Sequence, residues 1–136
     1  MKLKSKILLG IIVIFGLLSA SFIFGIFLFI RPIQVVGHSM EPNYVNGDKY
    51  LVLVNFPFEI NSNDVVYYRT KDNKSIYFIG RVIGLPGESA LVNNKQQIIT
   101  NESYYILGDN REKSLDSSTF GFIPKTNIEG KILFNY

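Results

Sequence analysis

The sequence predicts an all-β domain carried behind one N-terminal transmembrane helix, and three observations support that expectation. No charged residue occurs from Ile7 to Ile30. Beyond Pro32 the apolar residues fall in short runs rich in β-branched and aromatic side chains, which Gly, Pro, Asn or polar segments interrupt. No stretch after residue 32 sustains a helical apolar period over three turns.

The uncharged run is 24 residues long. At about 1.5 Å per residue a helix of that length reaches roughly 36 Å, enough to cross a hydrocarbon core of about 30 Å with some tilt. Lys2, Lys4 and Lys6 precede it and only Arg31 follows closely, so positive-inside bias keeps the N-terminus in the cytoplasm and exports the rest. Leu18-Ser19-Ala20 offers the small residues of a signal-peptide cleavage site. Signal-peptide apolar cores run only about 7–15 residues, however, and here the apolar run continues to Ile30, which favours an uncleaved anchor. The expected organisation is a cytoplasmic tip and lipid-embedded anchor over residues 1–31, with the bilayer around residues 7–30, and an extracytoplasmic β domain over 32–136.

The 14 basic residues, against 11 acidic ones, give a net charge of +3. Four of the basic residues flank the span while all the acidic ones lie beyond it, leaving the exported part near neutrality at −1. The excess of positive charge is therefore a membrane-orientation signal and not a nucleic-acid footprint. The chain has no cysteine, which excludes a disulfide framework, a thiol nucleophile and a zinc–cysteine site.

Three strands stand out: Tyr50-Leu51-Val52-Leu53-Val54, Asp64-Val65-Val66-Tyr67-Tyr68-Arg69 and Ile76-Tyr77-Phe78-Ile79. Leu85-Pro86-Gly87-Glu88 carries Pro and Gly at the two central positions of a type II turn. Asn93-Asn94 reads as a tight hairpin between Ala90-Leu91-Val92 and Gln96-Gln97-Ile98-Ile99, and the segment from Thr70 to Ser75 as another hairpin tip. About 105 residues of short strands suggest one compact domain, a folded-over sheet or partly open barrel.

Four segments in order carry the chemistry. They are Gly37-His38-Ser39-Met40-Glu41-Pro42, then Gly47-Asp48-Lys49-Tyr50-Leu51-Val52, then Gly80-Arg81-Val82-Ile83-Gly84-Leu85-Pro86-Gly87-Glu88, and last Gly108-Asp109-Asn110-Arg111-Glu112-Lys113-Ser114-Leu115-Asp116-Ser117. Alone, a serine beside glycine is usually a turn residue, and Met40 a hydrophobic plug. Taken in series behind an N-terminal anchor, the segments resemble the type I signal peptidases. In that family a membrane-tethered all-β domain uses a Ser/Lys dyad to cut signal peptides from exported preproteins, without a cofactor or metal.

The resemblance implies that Ser39 is the nucleophile and that its own N–H contributes to an oxyanion hole, already aimed at the charge that develops on the scissile carbonyl. It gives Gly37 the family's small position two residues before the serine. Met40 and Pro42 belong to the surface that receives the peptide. Asp109, Arg111, Ser114 and Asp116 form the supporting polar segment, with Ser114 at the position that hydrogen-bonds the lysine.

The family pattern places its lysine immediately before Arg-Val-Ile-Gly, and Gly80 stands there. A seryl hydroxyl needs a proton acceptor, which lysine supplies only when burial leaves it a neutral amine. His38 adjoins Ser39, but consecutive extended residues point to opposite faces. Arg81 stays protonated, and Lys71 and Lys74 lie on the expected hairpin tip. Asn43 replaces the usual threonine and Phe120 the usual Trp or Tyr. Ser118 stands where an arginine normally follows, which removes a charge partner near Asp109 or Asp116.

Two readings stay open. One is a membrane-bound peptidase cleaving preproteins through Ser39 with another base. The other is a catalytically silent homologue, similar to the signal-peptidase-like proteins of Gram-positive pilus loci that assist pilins. A metal loop over Gly108 to Asp116 fails the EF-hand spacing.

Overall fold

The computed structural model describes residues 2–55, 57–70 and 76–136, with side chains from Ser5 onward. Helix α1 (Lys2–Phe29) contains the apolar run. From Ser5 to Phe29 it is long and apolar enough to cross a membrane, and it leaves its large apolar side chains exposed on all sides, as suits lipid contact. It passes directly into strand β1 (Ile30–Gln34), and Asn55 Nδ2 donates to the carbonyl of Leu28 across that junction.

The remaining strands are β2 (Lys49–Val54), β3 (Val65–Arg69), β4 (Tyr77–Gly84), β5 (Ser89–Val92), β6 (Lys95–Ile98), β7 (Ser103–Leu107), β8 (Ile123–Pro124) and β9 (Ile128–Asn135). Seven of them form one antiparallel sheet in the order β1-β2-β9-β3-β4-β7-β8, and β5 with β6 makes a separate hairpin. Beyond the anchor the only α-helix among the described residues is the single turn α2 (Ser117–Phe120). The all-β expectation holds. The three strands read from sequence become β2, β3 and β4, while β1, β7, β8 and β9 were not anticipated.

Register shifts interrupt the β2–β9, β3–β9 and β4–β7 ladders. Such bulges increase local twist, and here the sheet curls into a half-barrel. The curl brings β1, at one edge, across a groove from β4, four strands away in the sheet. Both faces are covered. Val35, Met40, Tyr50, Val52, Val65 and Ile132 pack on one side, and Val66, Tyr68, Val82, Tyr104, Ile106 and Ile123 on the other. Val65 and Val66 are consecutive and both buried, as a two-sided strand requires. Val92, Ile99, Tyr105 and Leu107 dock the β5–β6 hairpin.

The turn chemistry follows the sequence. Gly87 takes φ +87° and Glu88 N–H donates to the Leu85 carbonyl at 3.1 Å. Asn93 and Asn94 take φ of 50° and 60°, the left-handed pair that a two-residue hairpin turn demands. Residues 71–75, the core of the other expected hairpin tip, lie outside the described residues, although β3 and β4 on either side pair antiparallel.

Candidate active site

Ser39 sits in a turn between β1 and β2. Gly37 adopts φ +100°, a conformation that favours glycine, and its N–H donates to Asn46 Oδ1 at 2.9 Å. Open space surrounds the position where a Gly37 Cβ would lie, so its backbone angle accounts for the glycine. Met40 follows and is almost fully buried in the core, which pins the turn to the sheet. The Asp109 N–H contacts its sulfur at 3.4 Å. Pro42 is exposed and does not line the groove.

The loop from Gly108 to Ser118 holds this turn from the other side. Asn110 N–H donates to the Ser39 carbonyl at 2.9 Å. The Ser114 hydroxyl lies 3.1 Å from the same carbonyl and 2.8 Å from that of Asn110, and shares its proton between them. A Cβ at Gly108 would fall 1.8 Å from Ser114 Oγ and 2.6 Å from the Ser39 carbonyl oxygen, so only glycine fits where these two segments meet. Arg111 Nε donates back to the Gly108 carbonyl at 2.9 Å, closing the loop on itself.

Both aspartates of the loop are satisfied. Asp109 receives Arg81 twice, from Nε to Oδ1 at 2.8 Å and from Nη2 to Oδ2 at 2.6 Å, and Asn43 Nδ2 at 2.8 Å. The Arg81 hydrogen bonds hold the Asp109 carboxyl below the usual carboxylate range, outweighing its partial burial, and the same bonds raise Arg81. Asp116 is buried. Its Oδ2 accepts from Gly108 N–H at 2.9 Å, and its Oδ1 from the N–H and hydroxyl of Ser118 at 3.0 and 2.7 Å. Ser118 and Asn43, two departures noted in the sequence, thus supply partners to the carboxylates that sequence reading expected to have lost one.

Gly37, Ser39, Met40, Ser114 and Asp116 line one groove of about 670 Å³, between the segment from Arg31 to Met40 and the end of the β3–β4 hairpin. Asp109 and Arg111 stand behind it, and Gly80 does not reach it. Ser39 is partly exposed there, and among the described residues no side chain hydrogen-bonds its hydroxyl. His38 Nδ1 is 2.7 Å from Glu41 Oε1, an exposed pairing that does not involve Ser39.

Gly80 is buried within β4 opposite Val66. A Cβ there would meet Ile106 Cγ2 at 2.6 Å, Tyr68 Cε1 at 3.1 Å and the Leu107 carbonyl oxygen at 3.4 Å. Sequence reading assigned no role to Tyr68, Ile106 or Gly108. Tyr68 reads as an ordinary strand residue and Ile106 lies in the unanticipated β7, so only the register β3–β4–β7 sets them against position 80.

The model of the family described as signal peptidase, peptidase S26, matches residues 6–103 and 88–136 of this sequence. The chain belongs to the signal peptidase family. It is 28% identical to signal peptidase IB of Staphylococcus aureus (strain COL), covering 98% of this chain and 91% of that protein. It is 26% identical to signal peptidase I P of Bacillus subtilis subsp. natto, covering 95% and 88%. The alignments, of 177 and 170 positions, exceed this chain's 136 residues, so these signal peptidases carry inserted segments that it lacks. Mitochondrial inner membrane protease subunit 1 of Xenopus tropicalis is 31% identical over 104 residues, 71% of this chain and 62% of that protein's length. The chain thus combines a β domain shorter than those of these relatives with an N-terminal helix apolar enough to span a membrane, and the turn and loop on either side of Ser39 are tied together at its carbonyl.

Proposed function

We propose that this chain is a membrane-anchored binder of signal-peptide segments that retains the family's groove and no longer hydrolyses its ligand. The observation that carries the reading is the Ser39 hydroxyl, which lies in the groove with no side chain among the described residues placed to accept its proton, while Gly80 stands at the position that the resemblance gives to the family's base. Activating a serine requires a base within about 2.6–3.2 Å or one bridging water. Removing one member of such a catalytic set leaves only about 10³–10⁴-fold over the water reaction.

Binding needs none of this. Among the described residues strand β1 pairs with β2 alone, so its outer edge presents backbone groups along the groove, with no N–H at Pro32. An extended peptide adds there as a further strand, with alternate side chains entering the apolar wall of Val35, Met40, Tyr67 and Ile79. Helix α1, with its N-terminus in the cytoplasm, keeps the groove at the outer membrane surface, where exported preproteins and membrane-tethered pilins emerge. Polar and charged groups lining the groove need no metal or cofactor for this role.

A second reading rests on His38. The bond from Nδ1 to Glu41 fixes the imidazole and leaves Nε2 as the basic nitrogen. A shift of the turn on binding peptide would be needed to bring it to Ser39.

The test is preprotein processing in detergent by the wild-type chain, Ser39→Ala and His38→Ala, with crosslinking of a signal peptide to the same proteins. The binding reading expects undiminished crosslinking and no cleavage by any of the three. Cleavage by the wild type that Ser39→Ala abolishes overturns it, and its further loss in His38→Ala identifies the base. Recovery of a tethered pilin with the wild-type chain would narrow the binding role to pilus assembly.

A further inference from the structure

We infer that Tyr68 and Ile106 fill the volume that a side chain at position 80 would require, so the site is closed to a base and not merely missing one. The inference rests on reading position 80 as the place of the family's lysine.

Three strands converge at this point. In the β3–β4 register Val66 lies opposite Gly80 and Tyr68 opposite Phe78, so Tyr68 is the diagonal neighbour of Gly80 on the same face of the sheet. Diagonal partners are within reach of an aromatic ring, and an aromatic laid over a strand glycine covers the backbone that the glycine leaves bare. The Tyr68 ring does so, with Cε1 3.1 Å from the position of a Gly80 Cβ. It is held by Phe78, stacked at 5.8 Å between centroids, and is 1% exposed. From β7, Ile106 Cγ2 stands 2.6 Å from the same point, closer than real Cβ contacts come. Ile106 is β-branched and fully buried, so its methyl cannot swing aside.

Tyr68 also borders the groove that Ser39 lines, which makes it the wall between the groove and the core. It cannot take over the role of base. Burial, and then the Asp116 carboxylate, push its phenol well above the ordinary tyrosine range, so it stays protonated.

Reactivation by one substitution is therefore excluded: Gly80→Lys places a Cβ, and a four-carbon chain beyond it, into occupied hydrocarbon. The inference is tested by a thermal double-mutant cycle on the full chain in detergent, paired with the cleavage assay. Gly80→Ala lowers the melting temperature by roughly 5–15 °C through overpacking. In an Ile106→Ala background, which removes the contacting methyl, the same change lowers it by less than half as much or raises it. Tyr68→Phe keeps the ring and leaves the Gly80→Ala shift as it was. In the assay Gly80→Lys shows no cleavage.

A Gly80→Ala protein as stable as wild type overturns the inference, as does an equal shift in both backgrounds or a folded, cleaving Gly80→Lys. The two proposals fail separately. Cleavage by the wild type with the thermal coupling intact sinks the binding reading alone. A silent wild type without the coupling sinks this one alone.

Discussion

The loop from Gly108 to Ser118 and the strand position at Gly80 are the two halves of the site, and they are built of opposite materials. The loop is polar and saturated: Asp109 takes three hydrogen bonds and Asp116 three more, and no buried side-chain nitrogen or oxygen is left unpaired among the described residues. The region around Gly80 is hydrocarbon, formed by a tyrosine ring and an isoleucine methyl closing on bare backbone. The difference teaches which parts of such a site the fold itself needs. The polar loop fixes the Ser39 turn through backbone groups, and its removal would strand buried donors at a cost of about 1–3 kcal/mol each. A base at position 80 would bring no such return. A buried amine must be desolvated, whereas a well-packed apolar contact in the same space stabilises the sheet.

The largest expected effect falls where the loop meets the turn. Gly108→Ala drives a methyl to 1.8 Å from Ser114 Oγ and 2.6 Å from the Ser39 carbonyl. One of those atoms is backbone, so the loop must move and give up the bonds that Asn110 and Ser114 donate to the Ser39 carbonyl and that Gly108 donates to Asp116. A loss of about 3 kcal/mol or more is expected in chemical denaturation. A cost below about 1 kcal/mol would show that the loop is not rigidly coupled to the turn, and the contrast with Gly80 would collapse.

Sequence reading recovered the halves unequally, for physical reasons. The loop was legible because Gly, Asp, Asn and Ser at fixed offsets are turn chemistry, and the N-terminal helix because an uncharged apolar run of that length is long enough to span a bilayer. Strand β9 was not legible, although it lies near the middle of the sheet between β2 and β3. Its Ile128-Glu129-Gly130-Lys131 segment breaks the apolar pattern. Gly130 is there because a Cβ would lie 2.5 Å from the Leu53 carbonyl oxygen and the Val52 methyl, a requirement set by a strand some 80 residues earlier. Lys131 Nζ pairs with Asp64 at 2.8 Å and Glu129 with Arg69, long-range partners that no local window contains. Gly80 stood out in the sequence as a glycine before Arg81-Val82-Ile83-Gly84, but the side chains packed around it did not. Tyr68 and Ile106 reach it only through pairing of three strands.

The next effect in size tests the charge partner of the loop. Asp109→Asn removes the charge that holds Arg81 and is expected to cost about 2 kcal/mol at pH 7. The folded-state pKa of Asp109 lies below its ordinary value of about 3.9, so the stabilisation is complete above that value. It is lost as pH falls through the lowered folded-state pKa. Urea titrations at pH 7 and at successively lower pH should show the gap between wild type and Asp109→Asn constant down to about pH 4 and closing below it. A gap that grows on acidification would mean that Arg81 has no need of this carboxylate.

The smallest effect is expected at the serine itself. The contacts that bind Ser39 to the loop use its carbonyl: Asn110 N–H at 2.9 Å and Ser114 Oγ at 3.1 Å. Its hydroxyl bonds to no side chain among the described residues, so Ser39→Ala should change stability by less than about 0.5 kcal/mol, whereas Ser114→Ala, which removes a bond to that carbonyl, should cost about 1 kcal/mol. The two denaturation curves separate a residue that serves the fold through its backbone from one that serves it through its side chain. A cost at Ser39 equal to that at Ser114 would place the hydroxyl within the saturated polar loop. It would then have a structural use that needs no reaction, and the contrast between a polar, fold-serving loop and the hydrocarbon around Gly80 would extend to Ser39 as well.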